Sequence, residues 1–362
     1  MGKRWAIVVC GAILAGVLLV VAACGSAGET TTSASSSSAG TTSQTTQKAA
    51  ADSQTTETAL ADSQTTEKAA ADAPLFRAFA NRKIGYIDQT GKMVISPQFG
   101  SAGLFVDGLA AALDGTTGKW GFIDTTGTFV IKPQYQEAKD FSESLAGVLD
   151  GSTNTWGFID KTGKMVLDPQ FPKAGEFREG LANVLDTATN KWGYIDTTGK
   201  FVIKPQWHFD AWAAAQPFSE GLAAVFDETI GWGYIDATGT YVLKPHYNYA
   251  GSFSSGLAPF AAQDGAGAVL QYGFIDKTGK TVIDPQFKDA RPFSEGLAAV
   301  QDAATRTWGY IDPTAKFVIP SRYGLALPFS NGLAMVAIGD ASQGNYPYID
   351  KTGQTFWAPP AK

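Results

Sequence analysis

Trp192-Gly193-Tyr194-Ile195-Asp196-Thr197-Thr198-Gly199-Lys200-Phe201-Val202-Ile203-Lys204-Pro205 is the stretch on which the fold turns. Near-copies recur along the chain, anchored at Ile84, Trp120, Trp156, Trp192, Trp232, Tyr272, Trp308 and Tyr346, at offsets of 36, 36, 36, 40, 40, 36 and 38 residues. A period of this size is the signature of a repeat architecture. Within a unit, Trp192, Tyr194 and Asp196 alternate with Gly193 and Ile195, which puts the two sets on opposite faces of a strand. Asp196-Thr197-Thr198-Gly199 reads as a tight hairpin connection. Gly199 supplies the positive φ, and the Asp196 carboxylate accepts bonds from turn N–H groups. Phe201-Val202-Ile203 begins the next strand, and Pro205 ends its pairing because it has no N–H to donate.

A strand of the type Gly296-Leu297-Ala298-Ala299-Val300 precedes each such hairpin. Each unit is therefore an antiparallel meander of three strands, with room for a short fourth in the link that carries a Phe before Ser-Glu-Gly. Gly193 is expected to let a neighbouring sheet approach and cover the indole beside it. A buried aromatic contributes roughly 1.5–3 kcal/mol, and a lone three-stranded sheet cannot hide such a ring, so the units must stack. The fold class is all-β. The period matches a propeller blade, and the alanine-rich first strand suits the crowded inner position of a propeller-like or strongly curved ring. The irregular first and last units, read as caps, suit an open β-solenoid instead.

The first 73 residues are of another kind. Lys3 and Arg4 precede an apolar run from Ala6 to Ala23 that ends Val21-Ala22-Ala23-Cys24. A basic start, an apolar centre and small residues before a cut make a secretory signal over residues 1–23. The last four residues resemble the lipobox of bacterial lipoproteins, which implies cleavage before Cys24, acylation of that residue and a location on the outer side of the cytoplasmic membrane, extracellular or periplasmic. An uncleaved membrane anchor is the alternative, since the apolar run approaches spanning length. Cys10 is the only other cysteine, so no disulfide is expected. Residues 24–73 are dominated by Ser, Thr, Ala and Gln and contain no aromatic. That composition cannot bury enough apolar surface to order itself, and it reads as a tether. Residues 74–358 carry eight repeats, and 359–362 form a tail.

The repeated Trp-Gly-Phe/Tyr-Ile-Asp-x-Thr-Gly-Lys, followed by Pro-Gln-Phe/Tyr, resembles the bacterial tryptophan–glycine (WG or KWG) repeats. The resemblance implies a non-catalytic β-repeat module, often exported. Ile84 and Tyr272 depart from Trp, Tyr346-Pro347 stands for Trp-Gly, Ala315 replaces the turn glycine, and Ser321-Arg322 stands where Gln is expected. The seventh and eighth units are accordingly expected to be looser.

Catalytic motifs are missing from the sequence: it has no nucleophile elbow, phosphate loop, His-Glu-x-x-His or paired-cysteine pattern. No enzyme activity, cofactor or metal site is expected. The aspartates Asp114, Asp150, Asp186, Asp227, Asp264, Asp302 and Asp340 recur in a loop of every unit but the first. They lack the clustered oxygens a calcium ion needs and read as turn initiators. Binding is expected where regularity breaks, in the insert Trp207-His208-Phe209-Asp210-Ala211-Trp212 of the fourth unit. Trp207, His208, Asp210 and Trp212 are the candidate ligand residues, joined by His246 from the next unit. The plainer reading puts Trp207 in the usual aromatic slot and Trp212 over core. The formal charge of −6 becomes −8 once Lys3 and Arg4 leave, and no basic stripe supports a nucleic-acid partner. A lipid-anchored, monomeric binding module for a protein, glycan or small ligand is the leading reading. An envelope scaffold is second, and a hydrolase of envelope polymers a distant third.

Overall fold

The computed structural model describes residues 73–208, 214–263, 270–339 and 346–359. The signal, Cys24 and the tether lie outside them, as do Asp210, Trp212, Asp264 and Asp340. The described chain forms eight small antiparallel sheets, each a sequential meander. Blade 4 shows the pattern in full. Its strands Ala174–Arg178, Leu181–Asp186, Lys191–Ile195 and Phe201–Trp207 pair in order. Burial explains the order. The middle strands are covered on both faces, whereas Phe201–Trp207 alternates between buried and exposed residues and forms the outer edge.

The innermost strand is the short one in the link, not the alanine-rich strand expected there. It carries Ala-x-x-Phe in seven blades, as in Ala138-Lys139-Asp140-Phe141 and Ala290-Arg291-Pro292-Phe293. In blades 2 and 5 it shrinks to single bridges, Ala102 to Ala112 and Ala215 to Val225. Each of its phenylalanines stacks on the second aromatic of the preceding blade at 4.7–4.9 Å between centroids, from Tyr86–Phe105 to Tyr310–Phe329.

Alternation along the middle strand then determines which neighbour each residue meets. Trp192 and Tyr194 pack with Ala215, Phe218 and Val225 of blade 5, while Ile195 packs with Phe158 and Leu167 of blade 3. Every anchor is covered in this way: Trp156 by blade 4, Trp232 by blade 6, Tyr272 by blade 7 and Trp308 by blade 8, with Trp120 less completely buried against blade 3. Polar latches repeat alongside the apolar ones. The Tyr194 hydroxyl donates to the Gln216 carbonyl of the next blade, as Tyr234 does to Gly251 and Tyr310 to Leu327. Glu143 accepts from the N–H groups of Glu179 and Gly180, and Glu179 in turn accepts from Gly221.

The first and last blades are not caps. Phe76 and Ala78 of blade 1 share a core with Leu333, Met335 and Tyr348 of blade 8, with Phe76 and Tyr348 edge to face at 5.5 Å and Phe79 against Tyr346 at 5.2 Å. The ring is therefore closed, which overturns the open-solenoid alternative; the molecule is an eight-bladed β-propeller. The seventh blade is as regular as its neighbours, with Ala315 adopting the turn glycine's conformation at φ 66°. The eighth has shorter strands, Tyr348–Ile349 and Thr355–Trp357.

Gly193 has a different task from the one expected. A Cβ there would meet the Ile203 carbonyl oxygen at 2.7 Å and the Pro205 nitrogen at 2.8 Å, backbone of its own outer strand rather than a neighbouring sheet. The pairing register shifts between Trp192 and Tyr194, and this bulge presses the two strands together at the glycine. The same approach recurs at Gly121, Gly157, Gly233, Gly273 and Gly309.

Candidate functional site

The turn aspartates behave as the sequence predicts. Asp196 Oδ1 accepts from the Thr198 N–H and hydroxyl and from the Lys200 N–H, and this arrangement recurs from Asp88 to Asp350. The threonine hydroxyl bond holds the Asp196 carboxyl below the usual range. In the second series, Asp114, Asp150, Asp186, Asp227 and Asp302 each accept from residues two or three further on in their own turn. Both series are structural. Among the described residues no group of three or more His, Cys, Asp or Glu is disposed to hold a metal ion.

Where the repeat breaks, blades 4 and 5 bound a cleft of about 390 Å³ lined by Lys191, Gln206, Trp207, His208, Phe226, Asp227, Glu228 and Thr229. Three positions build it: the start of the Lys191–Ile195 strand, the end of Phe201–Trp207 with the residue following it, and the end of Ala223–Asp227 with the turn beyond. His208 Nδ1 lies 2.6 Å from Glu228 Oε1 and Nε2 lies 3.2 Å from the Asn190 amide nitrogen. An amide N–H can only donate, so this geometry places the ring proton on Nδ1, toward the carboxylate. Thr229 donates its N–H and hydroxyl to Asp227, and the hydroxyl bond lowers that carboxyl. The half-buried Phe226 supplies an apolar wall, its ring 5.5 Å from that of Trp232.

The candidate residues separate accordingly. His208 is in the cleft. Trp207 borders it but is core: 4% exposed, edge-on to Tyr194, its indole N–H donating to Tyr241 of the next blade. It fills the ordinary aromatic slot opposite Trp192, so it is no exposed stacking platform. His246 occupies a different register position, one before Tyr247, where its Nδ1 meets the Lys244 carbonyl at 2.7 Å and its ring lies on Tyr247. These contacts keep it within its own outer strand, not paired with His208. Sequence reading missed Asn190, Lys191 and Glu228, the partners across the cleft. The one signal for Glu228 was an acid standing where other units carry small or hydroxyl residues in the same loop.

Fold and repeat pattern together define a class: closed β-propellers built from short tandem repeats. Within it, the chain belongs to the WG containing repeat family, whose profile matches residues 84–115, 120–152, 156–185, 192–227, 232–264, 272–302 and 308–340. These are seven matched stretches against eight blades, the eighth diverging at Tyr346-Pro347. No curated protein matches the chain in sequence. Among solved structures, it is similar to a eukaryotic initiation factor (TM-score 0.50, 11% identity, 79% of this chain and 85% of that one). It is also similar to the dihydro-heme d1 dehydrogenase NirN (TM-score 0.52, 12% identity, 80% and 74%). BamB from Moraxella catarrhalis aligns at a TM-score of 0.46 and 13% identity over 74% of this chain and 94% of that one. Identities this low make the likeness one of fold alone.

Proposed function

We propose that this propeller is a non-catalytic binding module that captures a hydroxyl- or amine-bearing ligand, a glycan or a peptide segment, in the cleft between blades 4 and 5. The observation that carries this reading is the His208–Glu228 pair in a cleft formed where the repeat is interrupted, on a scaffold whose other recurrent polar groups are engaged in turns and latches. One lysine faces two carboxylates there, so the cleft favours a neutral or cationic ligand over an anionic one, while Phe226 offers an apolar wall to a sugar or aliphatic face. We further propose that Cys24 is the lipidated anchor that holds the module on the outer side of the membrane, on a tether of roughly 40 Å root-mean-square span.

His208→Ala combined with Glu228→Gln alters only exposed side chains, so the fold is expected to persist while capture on a glycan and peptide array drops roughly tenfold. Equal capture by the wild type and the double variant would refute the site. In parallel, Cys24→Ser should move the protein from the membrane to the soluble fraction; retention in the membrane would refute the anchor alone, leaving the cleft untouched.

A further inference from the structure

In blades 2 to 8 the residue after the inner alanine is Gly103, Lys139, Gly175, Gln216, Gly251, Arg291 and Leu327 in turn. Five of these are uncharged, so the blade needs no cation there. Arg291 supplies one, and among the described residues it is the only charged side chain that is buried, at 8% exposure. Its guanidinium lies 4.9 Å over the Trp308 ring, on the face that packs against blade 8. Covering the indole is one task, as Lys139 does for Trp156 at 5.1 Å. That task leaves the polar atoms without a reason. Arg291 Nε and Nη1 are both buried without a hydrogen-bond partner, and an unmade bond on a charged donor is the costliest kind. Leu327, at the same place in blade 8, packs on the core that holds Tyr346 with no polar atom at all. Asp289 precedes Arg291 by two residues, on the same face of the inner strand, and does not fill the gap. Its Oδ1 accepts instead from the Ala290 N–H at 2.8 Å. Burial pushes the Asp289 carboxyl up, opposed by that bond and by the charges of Arg291 and Lys288. Burial lowers Arg291 in turn, opposed by the charge of Asp289. Burial also raises the hydroxyl of Tyr249, from the inner strand of blade 6, and the charges of Asp289 and Arg291 both reach it.

We infer that these groups form a second binding site, at the inner edge of blades 6 and 7, for a small zwitterion of the α-amino acid type. The ligand carboxylate takes the unpaired guanidinium N–H groups of Arg291, and its ammonium meets Asp289 and the Tyr249 hydroxyl. The pairing follows from charge. A simple anion would satisfy Arg291 but be repelled by Asp289 two residues away, and a simple cation would suffer the reverse. A ligand that carries both charges a few bonds apart serves both groups. Guanidinium is also the cation whose planar donors best fit a carboxylate, and the Trp308 face beneath it fixes the plane in which those donors point. The site is separate from the cleft between blades 4 and 5 and is built from none of its residues.

The test is isothermal titration of the full chain with L-alanine, propionate and ethylamine, the last two being alanine without its ammonium and without its carboxylate. L-Alanine should bind, and each control should bind roughly tenfold more weakly or worse. Arg291→Leu, which gives blade 7 the residue that blade 8 already carries, should abolish binding while far-UV circular dichroism stays that of the wild type. Asp289→Asn is the second variant, and it should bring L-alanine and propionate to nearly equal affinity. His208→Ala with Glu228→Gln should bind L-alanine as the wild type does; loss of binding there would move the ligand to the other cleft and overturn the inference. Absence of L-alanine binding would overturn it as well, as would propionate binding as tightly as L-alanine, or undiminished binding in Arg291→Leu.

Discussion

Asp140 sits two residues past the inner strand of blade 3, Glu137–Ala138, and reaches back across Gly103, where any side chain would overlap its carboxylate. Its Oδ2 accepts from the Leu104 N–H at 2.8 Å, but Oδ1 is buried without a hydrogen-bond partner. Burial pushes the carboxyl up to about 6, opposed by the Leu104 bond and by the charge of Arg77, and reinforced by that of Glu176. Unfolded, it titrates near 4, so between roughly pH 4 and 6 the folded chain holds the extra proton. Stability must then fall as pH rises through that window and level off above it. The turn aspartates work the other way. Their folded carboxyls are held low, so their contribution is lost only as pH falls below about 4. We expect melting temperatures measured between pH 4 and 8 to decline toward neutrality, and Asp140→Asn to flatten the decline. An unchanged slope in the variant would show that another group carries it. The turn aspartates were legible in the sequence because their partners lie two to four residues away. Asp140 was not, because Gly103 and Leu104 are some 36 residues distant and belong to another blade.

At the scale of the strand, alternation made the faces legible. Trp192 and Tyr194 on one side and Ile195 on the other is how the chain packs. The glycine between them was legible only as a requirement, not as a reason. Period-two reasoning treats strands as flat and evenly paired, and the bulge that brings the Ile203 carbonyl and Pro205 nitrogen against Gly193 has no signature in alternation. The same blindness hid the inner strand, which is two to five residues long and too short to alternate visibly. Gly193→Ala distinguishes the two accounts of the glycine. Against a neighbouring sheet, a methyl would be met by side chains able to repack; against backbone in its own bulge it must displace the strand. A loss of roughly 1–3 kcal/mol is expected in urea unfolding, together with faster amide exchange in Phe201–Trp207. Faster exchange confined to blade 5 would favour the neighbouring-sheet account. The outer strands of the first seven blades also expose one valine each, including Val94, Val130, Val202 and Val282 at 44–51%. These sit singly around the rim, where β-branched residues favour the strand without forming a patch.

For the whole molecule, the period announced repetition but not closure, because whether the ends meet depends on the small rotation from one blade to the next. No residue encodes that rotation by itself. What betrays closure is substitution at the seam: Phe76 for alanine, Tyr346 for tryptophan, and an aromatic pair joining residues separated by nearly the full length of the ring. In an open array the removal of an end unit costs one interface, and the remainder behaves as before. In this ring the removal of blade 8 opens two, exposing Trp308 and Tyr310 on one side and Phe76 and Ala78 on the other. At roughly 1.5–3 kcal/mol for each large apolar side chain uncovered, two such faces amount to a sizeable share of a domain's net stability. A chain ending at Gly324 should therefore lose the single cooperative transition of the intact protein and bind a hydrophobic dye, rather than unfold at a slightly lower denaturant midpoint. The midpoint and steepness of its urea curve are decisive. If both stay close to those of the full chain, the blades are independent of the seam and the ring is not what holds them.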